Sequence, residues 1–257
     1  MGMFGAVLAT CLSPVFSLIL TMQYFIRKKN TFHVVKTKIS GKAIGGIIAS
    51  GFPSFLTEIS TGIVLIVFNF LFMKIAGNTG VAAYGVIANL WFIVVSMFTG
   101  ISQGMQPIMS HNYGKGKYGN VNKILKYGLI LMGTFAAAIY AVMFFGSEYV
   151  AAIFNSEHNE TLQYIAEEGL KLYYIACPFV GFNIIISIFF TSTEYPVPAH
   201  IISILRGFAL IIPMAFIMLF AGGRIGLWMA FPVTEMIVTV IGIILYIMRN
   251  RKLKEHT

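Results

Sequence analysis

The chain has 257 residues, of which 58% are hydrophobic and 11% charged, with a net charge of +9. Soluble domains run near ~45–50% apolar and ~25% charged, so this composition excludes a water-soluble fold. It also excludes nucleic acid as the reason for the positive balance, because the lysines and arginines sit beside apolar runs, where the positive-inside rule puts them.

A helix needs ~20 apolar residues to cross the hydrocarbon core. The apolar runs predict an all-α integral membrane protein of about seven transmembrane helices, at 2–26, 43–73, 83–110, 124–146, 168–192, 199–221 and 225–248. The connections differ in character. The stretch 27–42 is basic, 74–82 is short and contains glycine, 111–123 is basic, and 146–167 is acidic. After these come a Pro-rich turn at 193–198, a Gly turn at 221–223 beside Arg224, and a basic tail from Arg249. Alternation puts nearly all Lys and Arg on one side, which the charge rule assigns to the cytoplasm of a multi-pass plasma-membrane protein. The N-terminus then lies outside and the C-terminus inside. The first span has Arg27, Lys28 and Lys29 after it and no basic residue before it, the reverse of a secretory signal peptide.

An internal echo bears on domain organisation. Gly5-Ala6-Val7-Leu8-Ala9 opens the first span and a basic cluster follows at Arg27; Gly226-Leu227-Trp228-Met229-Ala230 opens the last and a basic cluster follows at Arg249. Either small residues have coincided by chance, or 1–26 is the last helix of a preceding lobe, 27–42 a basic cytoplasmic linker, 43–249 one six-helix unit and 250–257 a cytoplasmic tail.

The chain has no Asp, so Glu is the only side-chain carboxylate. Glu58 lies near mid-membrane, roughly 24 Å past Lys42 at ~1.5 Å per residue. Ser50, Ser54, Thr57, Glu58, Thr61 and Asn69 share about a 120° arc of that helix. Such a stripe reads either as a proton- or cation-binding carboxylate in a wet cleft or as a Glu hydrogen-bonded to a neighbouring helix. A second stripe, Asn89, Ser96, Thr99, Gln103, Gln106 and Ser110, either lines a vestibule or bonds helices together. On 168–192, Asn183, Ser187 and Thr191 align at i, i+4 spacing, with Tyr173 and Tyr174 nearer the outer end. Glu235, flanked by Thr234 and Thr239, is the second intramembrane carboxylate. Arg206 reads as a snorkelling or pairing cation.

Other signals are weak. Gly114-Lys115-Gly116-Lys117 lacks the spacing of a phosphate loop, and the five histidines form no metal pair. Cys11 and Cys177 lie in apolar runs, which predicts buried thiols and no disulfide. No nucleophile–base pair or metal set suggests a membrane-embedded enzyme, and no cofactor is expected. A seven-helix receptor fits the topology, but 225–248 has no Lys for a retinal Schiff base.

Several segments, in order and at their spacing, resemble the multidrug and toxic compound extrusion (MATE) family. They are Gly51-Phe52-Pro53-Ser54-Phe55, the run from Gln106-Pro107 to Tyr113-Gly114, Leu205-Arg206 followed by Ile212-Pro213, and Gly226-Leu227-Trp228-Met229-Ala230-Phe231-Pro232. The resemblance implies a twelve-helix antiporter of two six-helix lobes that exports lipophilic, often cationic compounds against H+ or Na+. This chain would match the end of the first lobe and the whole second lobe, its partners being the bilayer, the small lipophilic or cationic substrate and the missing N-terminal lobe. A flippase of lipid-linked precursors from the same superfamily is the nearest alternative. Two departures stand out. Glu58 is only five residues past Pro53, with Thr61 where some members place a functional Glu, and the acid that some members carry inside the equivalent of 168–192 is missing.

Overall fold

The computed structural model describes residues 2–27, 40–155 and 158–255. Within its helices, the side chains of residues 45–58 and of some others in the first and last helices and near the start of the second lie outside the described residues. All regular structure among the described residues is helical: α1 (Gly2–Ile26), α2 (Gly41–Gly114), α3 (Tyr118–Phe145), α4 (Ser147–Phe154), α5 (Glu160–Tyr173), α6 (Cys177–Ser192), α7 (Pro196–Ile204) and α8 (Ile211–Glu255). The chain divides into two compact units, Met1–Ile48 and Ala49–Thr257. Four described stretches are long and apolar enough to cross a membrane: Ile59–Gly114, Tyr118–Phe145, Glu160–Ser192 and Ile211–Arg249.

Glycine and proline set where the helices bend. α2 breaks only at Gly77 (φ 60°, ψ −153°) and α8 only at Gly223 (φ 56°, ψ −133°), left-handed conformations that cost a residue without a Cβ little. The loop expected over 74–82 is therefore helical on both sides of one residue, and the turn at 221–223 contracts in the same way. The polar composition of these stretches suggested a longer connection, but a single residue of positive φ suffices to reverse the chain. Pro178 cannot donate to the carbonyl of Tyr174, and the intervening turn, Tyr174–Ala176, tightens to a 3₁₀ helix between α5 and α6. Pro213 likewise leaves the carbonyl of Ala209 without its helical donor, and the preceding turn, Leu205–Ala209, widens to a π-helix between α7 and α8. The expected loop at 146–167 is largely helical, as α4 and the start of α5, with Asn159 capping α5 through a bond from the Leu162 amide (3.1 Å).

The core of the second unit is aromatic. Phe68 and Phe72, before Gly77, stack on Tyr84, after it, with ring centroids 5.5 and 5.3 Å apart, so the two arms of α2 fold back on each other. Phe72 meets Trp228 of α8 at 4.3 Å, and Trp91 packs edge-on against Phe231 at 5.1 Å. Tyr173 stacks on Phe231 at 4.6 Å, and the Tyr174 hydroxyl donates to the Ile87 carbonyl at 3.3 Å. Pairs of this kind are worth about 0.5–1.5 kcal/mol each beyond area burial. Gly169 is where α5, α2 and α8 meet most closely: a Cβ there would collide with Ile87 Cδ1 and lie 2.7 Å from the Trp228 ring.

Each end of the second arm of α8 is tied by an arginine. Arg224 Nη2 donates to Glu168 Oε2 at 2.7 Å, and its guanidinium lies 5.3 Å from the Tyr164 ring centroid. Arg249 lies 4.7 Å over the Phe189 ring and donates to the Thr193 carbonyl at 3.5 Å. Gly169→Ala is expected to destabilise the protein by about 1–3 kcal/mol through overpacking, read as a lower melting temperature in detergent, whereas Gly133→Ala, where a Cβ meets open space, leaves it within about 0.5 kcal/mol.

Candidate functional site

Asn183, Arg206 and Glu235 meet at one point inside the second unit. α6 carries Asn183 five residues past Pro178, the π-turn carries Arg206, and α8 carries Glu235 three residues past Pro232. Arg206 Nε donates to Glu235 Oε1 at 3.1 Å. Asn183 Nδ2 donates to Glu235 Oε2 at 2.7 Å and lies 3.1 Å from the Glu235 carbonyl. The Thr239 hydroxyl is within donor reach of the Glu235 carbonyl (2.8 Å) and Asn183 Oδ1 (3.2 Å). Thr234 donates back to the Ala230 carbonyl at 2.7 Å. Each oxygen of the carboxylate therefore has a donor from a different helix.

The burial of this group is lopsided. The Glu235 side chain is 1% exposed and Asn183 is 0% exposed, whereas the Arg206 side chain keeps 23%. Glu235 does not open onto a surface of this unit; its guanidinium partner does. The π-turn is seated against α2, with Ser60 Oγ 2.9 Å from where a Cβ would sit on Gly207, so Arg206 is held from behind as well as from the side.

The remaining expected positions are dispersed. Ser54, Thr57 and Glu58 lie on α2, with side chains outside the described residues. Thr61 is exposed, and Asn69 is half-buried and bonds back to the Leu65 carbonyl at 2.9 Å. Asn89 and Ser96 are exposed and bond back to the carbonyls of Gly85 and Phe92, each at 2.8 Å. Gln103 is exposed and Gln106 half-buried. Ser187 donates to the Asn183 carbonyl at 2.7 Å, and Thr191 to the Ser187 carbonyl at 3.2 Å, so that file satisfies itself along α6. Among the described residues no group of three or more His, Cys, Asp or Glu could hold a metal ion.

Sequence reasoning placed Asn183, Arg206 and Glu235 separately and did not join them. One signal could have: Arg206 lies seventeen residues before Gly223 and Glu235 twelve after it, depths that a long arginine can bridge once the chain reverses there. Tyr173 and Tyr174 are core residues, 5% and 0% exposed. Both cysteines are free, but Cys11 is exposed and only Cys177 buried. A thiol behaves as a small hydrophobe, so an apolar run does not tell a lipid-facing position from a protein-facing one.

The MatE family profile matches residues 53–217. The chain is 25% identical over 250 residues to the multidrug export protein MepA of Staphylococcus saprophyticus, covering 96% of this chain and 54% of the relative. It is 24% identical to that of Staphylococcus aureus over the same shares. Among solved structures, an outward-facing multidrug resistance MATE transporter of the MOP superfamily superposes with a TM-score of 0.85 at 19% identity, over 98% of this chain and 57% of the other. A MOP-superfamily transporter from Pyrococcus furiosus, described as having a binding pocket of reversed polarity, gives 0.83 at 19% identity, over 97% and 57%. The chain spans about half the length of the relatives it matches. With its profile match covering most of the chain and its fold shared with these transporters, this multi-pass, all-helical protein belongs to the MatE family of transporters.

Proposed function

We propose that this chain forms one lobe of a secondary exporter that moves lipophilic, often cationic drugs or toxins across the plasma membrane by antiport with H+ or Na+. The observation that carries this reading is the family match, set beside a coverage of just over half of each relative. A second lobe completes the translocation path, and the two rock about a central cleft to alternate access. Taking the reversals at Gly77 and Gly223 as membrane turns is compatible with seven crossings, and the charge bias of the connections supports an N-terminus outside and a C-terminus in the cytoplasm.

Within this lobe the two intramembrane acids divide the work. Glu235 is enclosed, with a donor on each oxygen, and serves as a lock that fixes α6, the π-turn and α8 together. A lock of this kind leaves the carboxylate no open side for a coupling ion. Glu58 carries the coupling role instead, on its depth and on the stripe it shares with Ser54, Thr57, Thr61 and Asn69. The exposed polar side chains of Asn89, Ser96 and Gln103 on the second arm of α2 support a wall that meets water or a second lobe rather than acyl chains.

Expressed alone, the chain is expected to give no efflux in a proton-driven dye assay; robust efflux would overturn the single-lobe reading. With the complementary lobe supplied, Glu58→Gln is expected to reduce ion-coupled export at least tenfold, while Glu255→Gln in the tail leaves it unchanged; equal, negligible effects would remove Glu58 from the mechanism. For the lock, Glu235→Leu is expected to cost about 3 kcal/mol by stranding Arg206, and Glu235→Leu with Arg206→Met to recover most of it, as read from unfolding curves in mixed micelles.

A further inference from the structure

The geometry points to Arg206 as a substrate-selecting residue: the surface around it takes the carboxylate of a lipophilic acid or zwitterion. The ion pair is asymmetric in a way that fixes which charge this lobe presents. Glu235 is 1% exposed and both its oxygens are engaged, so its charge is turned inward. Arg206 gives only Nε to that partner and retains 23% exposure, so the outward face of the pair is the cation.

Depth decides where that face can point. Arg206 is ten residues into the segment that starts at Pro196, so it sits roughly 15 Å deep at ~1.5 Å per residue, about the middle of a ~30 Å core. A guanidinium exposed to acyl chains at that depth is strongly disfavoured. The exposed face of Arg206 therefore belongs to water in the translocation opening or to the surface meeting the second lobe. Reaching either headgroup region would require Arg206 to leave Glu235 and strand a buried carboxylate.

The π-turn makes the presentation stiff. Its residues are held between the Arg206–Glu235 bond on one side and Ser60 against Gly207 on the other. A planar guanidinium bonded at Nε still has its two terminal nitrogens, which match the two oxygens of a carboxylate. A compound bearing only a positive charge meets repulsion here. One that bears a carboxylate, alone or with an amine elsewhere, gains a charge-assisted pair in a low-dielectric setting. This inference rests on the transport reading for the opening that Arg206 faces and for calling the ligand a substrate; the pairing of guanidinium with carboxylate stands apart from it.

The test is equilibrium binding of two probes that share one lipophilic fluorophore, one ending in a carboxylate and the other in a trimethylammonium group. They are titrated at pH 7.5 against the full chain joined by its complementary lobe in nanodiscs, with nanodiscs holding the complementary lobe alone subtracted. The carboxylate is expected to bind at least tenfold tighter. Arg206→Gln combined with Glu235→Gln keeps the pair neutral and hydrogen-bondable, guarding against misfolding, and is expected to bring the two probes to parity. Glu235→Gln alone is expected to retain the carboxylate preference. A preference for the ammonium probe in the unmodified chain would overturn the proposal, as would selectivity that survives the double substitution. Carboxylate binding that emerges only in Glu58→Gln would overturn it too, since Glu58 would then be neutralising Arg206. Flux is measured separately in proteoliposomes containing both lobes: carboxylate selectivity without flux removes the transport reading alone, and flux without that selectivity removes this one alone.

Discussion

A carboxylate inside a membrane protein needs a donor on each oxygen, because neither lipid nor apolar side chains can replace the water it has lost. Glu235 meets that requirement with donors from two other segments, Asn183 of α6 and Arg206 of the π-turn. Much of the local backbone follows from it. Pro178 and Pro213 each disturb one turn of helix; the first disturbed turn precedes the segment that carries Asn183, and the second contains Arg206. A straight, regular helix in either place would present Asn183 or Arg206 at a different angle, since each residue rotates the face by about 100°. The irregular backbone and the buried ion pair are thus parts of a single arrangement.

The aromatic cluster beside this site supplies the rigidity the arrangement needs. Phe231 lies one helical turn from Glu235 and is clasped by Tyr173 and Trp91. Trp228, one turn further back, fills the space left by the absent side chain of Gly169. Membrane helices gain little from being driven out of water, so tight packing and cross-helix polar bonds hold them together. Both occur here within three turns of α8. The arginines at the two ends of its second arm, paired with Glu168 and set over Phe189, extend the same support along that arm.

Much of this was legible in the amino-acid order, and the part that was not has a physical reason. The apolar runs indicated the helical class, and they fell close to both ends of α1 and to the C-terminal ends of α3 and α6, because membrane thickness imposes a length on each span. Gly223 marked a reversal and Glu235 and Asn183 marked polar ground, since glycine's freedom and a buried charge are properties of single residues. What stayed hidden depends on two segments at once. The pairing of Arg206 with Glu235 requires knowing that their helices are neighbours and turned toward each other. The dispersal of Gln103 and Asn89 onto an exposed face requires knowing what covers that face. Cys11 and Cys177 look alike in sequence because lipid and protein interior are equally apolar. The extent of the turn at Gly77 was misread because the polar residues around it, Lys74, Asn78 and Thr79, fit a helix end at the membrane surface as readily as a loop.

The one-residue reversals at Gly77 and Gly223 also govern how this protein can vary in length. A longer connection absorbs an added or deleted residue as slack. Here there is none, so an insertion in either arm of α2 or α8 would rotate everything between it and the bend by about 100° and shift it by ~1.5 Å. Phe68 and Phe72 would swing away from Tyr84, and in α8 the Glu235 carboxylate would swing away from its donors. Substitutions along these arms are local events, whereas indels are global ones. Length drift is therefore confined to connections that do not turn on a single residue.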